Sequence, residues 1–171
     1  MMEPWLDPAA CRIRQDRLRD WMAEAGVDLA VVVAAEHVQY LTGQRFDQRF
    51  APLAAVHVAG PSLLVAPDKP VAAAVDDVRT YEAKWRSTLR QDQRATAAAV
   101  LADWLASRPA PRRVAVEWSA AGPCVVAAAG GGADGGRRAR APAAAAAEGS
   151  GRAGPPAASH RRLRGDVREG P

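Results

Sequence analysis

Gly26-Val27-Asp28-Leu29-Ala30-Val31-Val32-Val33 is the stretch from which the fold is read. From Val27 onward it is short, β-branched and apolar, broken only by Asp28. That is the signature of a strand covered on both faces. Upstream, Asp7-Pro8 reads as an N-cap followed by proline at the first helical position. Leu18, Trp21, Met22 and Ala25 then fall at i, i+3, i+4 and i+7, one apolar stripe. Arg12, Arg14, Asp16, Arg19, Asp20 and Glu24 take the wet side, and Gly26 ends the helix as a left-handed cap.

Downstream, Glu36–Leu41 predicts one or two helical turns ending at Gly43, with Tyr40 and Leu41 in the core. Ala54–Ala59 and Ser62–Ala66 predict a hairpin about Gly60-Pro61. Lys69-Pro70 is expected to open a short helix in which Val71, Ala74, Val75 and Val78 share a face. Arg79–Trp85 is a strand candidate. Asp92 is expected to cap a helix carrying Ala97, Val100, Leu101, Trp104 and Leu105 on one side, ended by Pro109 and Pro111. Val114-Ala115-Val116 is a last buried strand. Strands alternating with helices predict an α/β domain, a mixed β-sheet flanked by helices, with only the hairpin clearly antiparallel.

The chain has 171 residues, room for one ordinary domain. Its charge is uneven. Residues 1–118 hold 15 basic and 15 acidic side chains, whereas residues 119–171 hold 8 Arg and 4 acids. The latter segment also holds 11 of the 14 Gly, has no Trp, Tyr, Phe, Ile or Met, and its only Leu is Leu163. So little large apolar surface cannot offset the entropy of ordering, so 119–171 is expected to be a disordered tail behind a domain of residues 1–118. Cys11 and Cys124 make no disulfide framework, and no secretory leader pattern opens the sequence, so a cytoplasmic setting is expected. The longest apolar run, Val27–Ala35, is too short to span a membrane.

Arg17-Leu18, Met22, Gly26-Val27-Asp28-Leu29 and Tyr40-Leu41-Thr42-Gly43, in that order and spacing, resemble the opening of the creatinase, prolidase and aminopeptidase P family. A Pro67-Asp68 turn, the helix Asp92–Ser107 and a strand ending Val114-Ala115-Val116-Glu117 extend the resemblance over residues 11–118. It implies the non-catalytic N-terminal domain of a Xaa-Pro peptidase or creatinase-like metallohydrolase. In intact relatives this domain helps build dimers and restricts substrate size. A second domain there holds two divalent ions, such as manganese, cobalt or zinc, through two Asp, one His and two Glu. None of those ligands can be placed here, because His160, Asp134, Glu148, Asp166 and Glu169 sit among Gly, Ala and Arg. The chain itself is therefore expected to be no enzyme and to carry no cofactor, with no catalytic, cofactor-binding or metal residue to assign.

The Gly130–Gly136 and Ala143–Ala147 tracts are what a GC-rich gene yields out of frame. Shifted by one base with GC-leaning codons, Glu148–Gly170 can read as an amphipathic helix resembling the one that joins the family's two domains. A frameshift between Trp118 and Gly130 is the corresponding expectation.

Other residues carry less. His57 alternates with Val56 and Val58 and is expected to be solvent-facing or satisfied. His37 is isolated in sequence. The resemblance places its region near a dimer partner's catalytic cleft, so His37 or the loop Arg45–Arg49 could line a neighbouring substrate pocket. That loop could equally be a connector with one Phe in the core. Asp76-Asp77 is expected on a solvated helix face, because adjacent helical residues diverge by about 100°. Gly130–Gly136 lacks the Gly-Lys-Ser/Thr of a phosphate loop. Arg137–Arg140 and His160–Arg164 lack aromatics for stacking, so no nucleic-acid partner is expected. A homodimer or a dimer with a full-length relative is the expected partnership. The alternatives are a stand-alone interaction module that has lost the enzyme, or an unrelated small α/β domain.

Overall fold

The computed structural model describes residues 6–68, 72–83, 90–130 and 139–140. The first helix, α1 (Pro8–Ala25), begins where Asp7 accepts the Ala9 N–H at 3.0 Å and ends at Gly26 with φ 65°. Then follow β1 (Leu29–Val32), α2 (Ala35–Thr42), β2 (Leu53–His57), β3 (Ser62–Ala66) and β4 (Asp77–Thr80). The chain continues through α3 (Arg90–Ala106), β5 (Val114–Val116), α4 (Pro123–Gly130) and β6 (Ala139–Arg140).

The sheet runs β4-β3-β2-β1-β5-β6. β1 pairs antiparallel with β2 and parallel with β5, and β3 pairs parallel with β4. The expectation of a mixed sheet flanked by helices holds, but antiparallel pairing extends beyond the hairpin to β1 and β2.

Alternation along the strands divides the core. Leu29, Val31, Leu53, Ala55, Leu63 and Val65 face α3 and α4. Their neighbours in sequence, Ala30 and Val56, pack with Met22 and Val27, while Ala54 and Leu64 pack with Val38. A strand with helices on both faces needs apolar side chains at every position, which is why β1 shows no polar alternation.

Asp28 breaks that run for a structural reason. Its Oδ2 accepts the backbone N–H groups of Arg112 and Arg113 at 2.7 and 3.0 Å. Arg113 in turn donates to the Ala25 carbonyl at 2.7 Å, so the starts of β1 and β5 are clasped together.

The structure corrects five expectations. Residues 72–76 form no helix, with bends only at 74–76, and the strand expected at Arg79–Trp85 runs instead over Asp77–Thr80. Lys69, Pro70, Val71 and Trp85 lie outside the described residues. Helix α3 starts at Arg90, so Asp92 lies in its first turn rather than ahead of it. Tyr40 is half-buried beneath the Arg14 guanidinium, 4.3 Å from its ring centroid, and only Leu41 is core.

The last correction moves the domain boundary from 118 to about 130. Helix α4 packs on α3, with Val125 and Ala129 buried four residues apart. Averaging composition over 119–171 hid this short apolar run. The glycine run beyond Gly130, Arg137 and Arg138 of the first arginine cluster, the whole of the second and the shifted-frame helix lie outside the described residues.

Candidate functional site

β1 and β5 are parallel neighbours, and the carboxyl ends of such strands are where open α/β sheets present groups to ligands. Glu117 follows β5 there. Its backbone N–H continues the ladder to the Val31 carbonyl at 3.0 Å. Its side chain turns back over the loop between β1 and α2. Oε2 accepts the N–H groups of Val33 and Ala34 at 2.9 and 2.8 Å, and Oε1 meets His37 Nδ1 at 2.5 Å. Helix α2 has Ala34 at its N-cap, which offers no side-chain acceptor. The carboxylate from the neighbouring strand therefore organises the backbone that leads into the helix. Its side chain is 11% exposed and that of His37 is 40% exposed.

Beside this pair lies an open cleft of about 210 Å³, bordered by Ala34, Glu36, Phe50, Pro52 and Arg94 with Val125 beneath. Gln48 also lines it, so the Arg45–Arg49 loop borders the cleft that starts one residue before His37. Within the loop, Asp47 takes Arg49 Nε and Nη2 at 2.9 Å each, and the Arg49 N–H at 3.0 Å. The Arg49 side chain, aided by that backbone N–H, holds the Asp47 carboxyl below its ordinary range. Trp118, next to Glu117, is 63% exposed. The two sequence candidates, His37 and the Arg45–Arg49 loop, thus fall on the same side of the domain.

Asp76 and Asp77 do not sit on a solvated helix face. They straddle the start of β4 and diverge as strand residues do. Asp76 accepts from the Ser62 N–H, the Ser62 hydroxyl and Arg12 Nη1 at 2.7, 2.9 and 2.8 Å. Asp77 accepts from Trp104 Nε1 and Arg108 Nη2 at 2.8 and 2.9 Å, on the α3 side. Neither is placed for acid/base chemistry. His57 is half-buried, and its Nδ1 accepts the Ala59 N–H at 3.3 Å within the hairpin turn.

Cys11 and Cys124 are free thiols. Burial raises the Cys11 thiol, against the opposing charge and hydrogen bond of Arg14. Among the described residues, no three His, Cys, Asp or Glu side chains converge as a metal site would require. A pair of divalent ions about 3.5–4 Å apart needs fixed carboxylates to bridge them. His37 and Glu117 alone do not fit that ligand set. Among the described residues no helix is long and apolar enough to cross a membrane.

Glu117 is the residue of this candidate site that the sequence reading did not single out. Its one signal was position: an acid ending a buried strand that runs parallel to β1.

Comparison with known proteins agrees with this architecture. The X-Pro dipeptidase N-terminal domain from Streptococcus pyogenes aligns with a TM-score of 0.51 at 14% identity, covering 68% of this chain and 85% of that one. The N-terminal domain of Xaa-Pro dipeptidase from Lactobacillus brevis aligns with a TM-score of 0.48 at 15% identity, covering 68% and 84%. The prolidase from Pyrococcus horikoshii aligns with a TM-score of 0.47 at 8% identity, covering 68% of this chain and 29% of that one. Among curated protein sequences, none matches. The family model for the creatinase/prolidase N-terminal domain matches residues 14–127, from the first turns of α1 into α4. The chain belongs to the creatinase/prolidase N-terminal domain family.

Proposed function

We propose that this chain serves as the non-catalytic domain of a Xaa-Pro peptidase-like metallohydrolase, docking on a catalytic domain and restricting which substrates reach it. The observation that carries this reading is the family match over residues 14–127, which takes in most of the described fold. The side of the domain bearing His37, the Arg45–Arg49 loop and the 210 Å³ cleft is the docking face. Hydrolysis, and the metal pair it uses, belong to the catalytic domain. The chain alone is not an enzyme, and it forms a homodimer or pairs with a full-length relative in the cytoplasm.

Sedimentation of the purified chain, alone and mixed with a full-length Xaa-Pro dipeptidase, tests the docking. A complex whose KM for Xaa-Pro dipeptides differs from that of the relative alone is expected. Two species sedimenting independently at micromolar concentration would remove the proposal. Turnover of Xaa-Pro dipeptides by the chain alone with manganese, cobalt or zinc, abolished by a chelator, would overturn its non-catalytic assignment.

A further inference from the structure

The His37–Glu117 pair has a defined proton arrangement. Glu117 Oε2 is occupied by two backbone donors, the N–H groups of Val33 and Ala34. An ionised carboxylate only accepts hydrogen bonds, so the His37 Nδ1 that meets Oε1 at 2.5 Å carries the proton. In the neutral ring Nε2 then bears the lone pair. Among the described residues no hydrogen-bond partner of Nε2 is found, and the side chain is 40% exposed. The ring is thus gripped at one nitrogen and open at the other. Of the other titratable and charged groups on this side, Glu36 and Arg94 border the cleft beside it, and Arg45, Asp47 and Arg49 lie on the loop.

We infer that Glu117 is a positioning residue that sets the tautomer of His37, so that Nε2 is presented as a hydrogen-bond acceptor to an N–H donor of a peptide ligand. The donor is an ammonium or amide N–H, since a neutral Nε2 lone pair complements those groups and not a carboxylate. Assigning the donor to a peptide rests on the proposed docking; the tautomer does not.

The test is the long-range ¹H–¹⁵N spectrum of the histidine rings in the whole chain at a pH where they are neutral. The His37 signals are assigned by their loss in His37→Asn. The Nδ1–H tautomer is expected to dominate. Glu117→Gln keeps an amide oxygen for Val33 and Ala34 but turns an NH₂ group toward Nδ1. That should shift the tautomer ratio toward Nε2–H by roughly tenfold, the weight of one hydrogen bond. A wild-type ring protonated at Nε2, or a Glu117→Gln ratio unchanged, overturns the inference. If Glu117→Gln does not fold, the wild-type spectrum decides alone.

The ligand is tested separately in a mixture with a full-length relative. There Glu117→Gln should raise KM for Xaa-Pro dipeptides about tenfold with kcat unchanged, since the acceptor becomes a donor. An expected tautomer with an unchanged KM overturns the assignment of the peptide donor. An expected tautomer without any complex overturns the docking instead.

Discussion

Trp104 Nε1 donates a 2.8 Å hydrogen bond to Asp77 Oδ2, pinning α3 to the edge strand β4. Arg108 joins the same oxygen at 2.9 Å while its guanidinium lies 3.9 Å from the Trp104 ring centroid. Trp104 is 1% exposed, so its ring is core and its one polar atom is satisfied there.

Truncating this ring should be among the costliest single changes in the domain. Trp104→Ala is expected to destabilise by about 3–5 kcal/mol through lost burial and the cavity left behind. Asp77→Ala should cost about 1–3 kcal/mol by leaving the indole N–H unpaired. Urea denaturation of both variants checks the order. Equal losses would mean that the ring's burial contributes little beyond the bond.

Asp76 predicts an acid-sensitive contribution. Burial alone would raise its carboxyl, but the Ser62 N–H and hydroxyl, then Arg12, outweigh burial and hold it below its ordinary value. A carboxyl depressed on folding stabilises the native state above the unfolded pKa, near about 3.9, and that stability is lost as pH falls through the folded value. The difference in Tm between wild type and Asp76→Asn should be largest near neutrality and shrink below about pH 4. A difference that stays constant from neutral to acid pH would show that the carboxylate's charge is not what Ser62 and Arg12 recognise.

These acids mark the limit of what local pattern reveals. The Asp7-Pro8 start, the Gly26 stop, the doubly covered β1 and the stripe on α3 were all legible, because each depends on neighbours within a few residues. Val71, Ala74, Val75 and Val78 have helical spacing, yet Val78 joins a strand and Ala74 serves another purpose. The buried Gln15 amide donates to the Ala74 and Leu41 carbonyls at 2.5 and 2.8 Å, fixing the bend from 59 residues away. The Glu117–His37 pair spans 80 residues. Contacts at such separations leave no periodic trace, so the site was visible only as an isolated histidine and an acid ending a strand.

The two left-handed glycines should respond unequally to a methyl group. Gly26 has φ 65° and Gly43 has φ 77°, so alanine at either is strained by about 1–2 kcal/mol. At Gly26 the nearest atom to the new carbon is Arg113 Nη1 at 3.8 Å, ordinary contact. At Gly43 it would stand 3.2 Å from the Leu6 carbonyl oxygen and 3.5 Å from Cys11 Sγ. Gly43→Ala should therefore lose more stability than Gly26→Ala. Thermal melts of the two variants decide it, and the reverse order would mean that the segment ahead of α1 yields readily.

The packing of α4 makes a prediction opposite to the one its composition suggests. Read as part of a disordered tail, residues 122–171 should be removable with little effect. In the structure Val125 is 1% exposed and Ala129 is fully buried, both against α3, and Leu101 and Trp104 belong to the same cluster. Burying a valine side chain contributes about 1.5–3 kcal/mol, and each kcal/mol moves Tm by roughly 4–8 °C in a domain of this size. A chain ending at Ala121 should melt at least several degrees below one ending at Gly130. Coincident melting curves for the two would mean that α4 lies on the surface without stabilising it, and would return the boundary of the folded domain to residue 118.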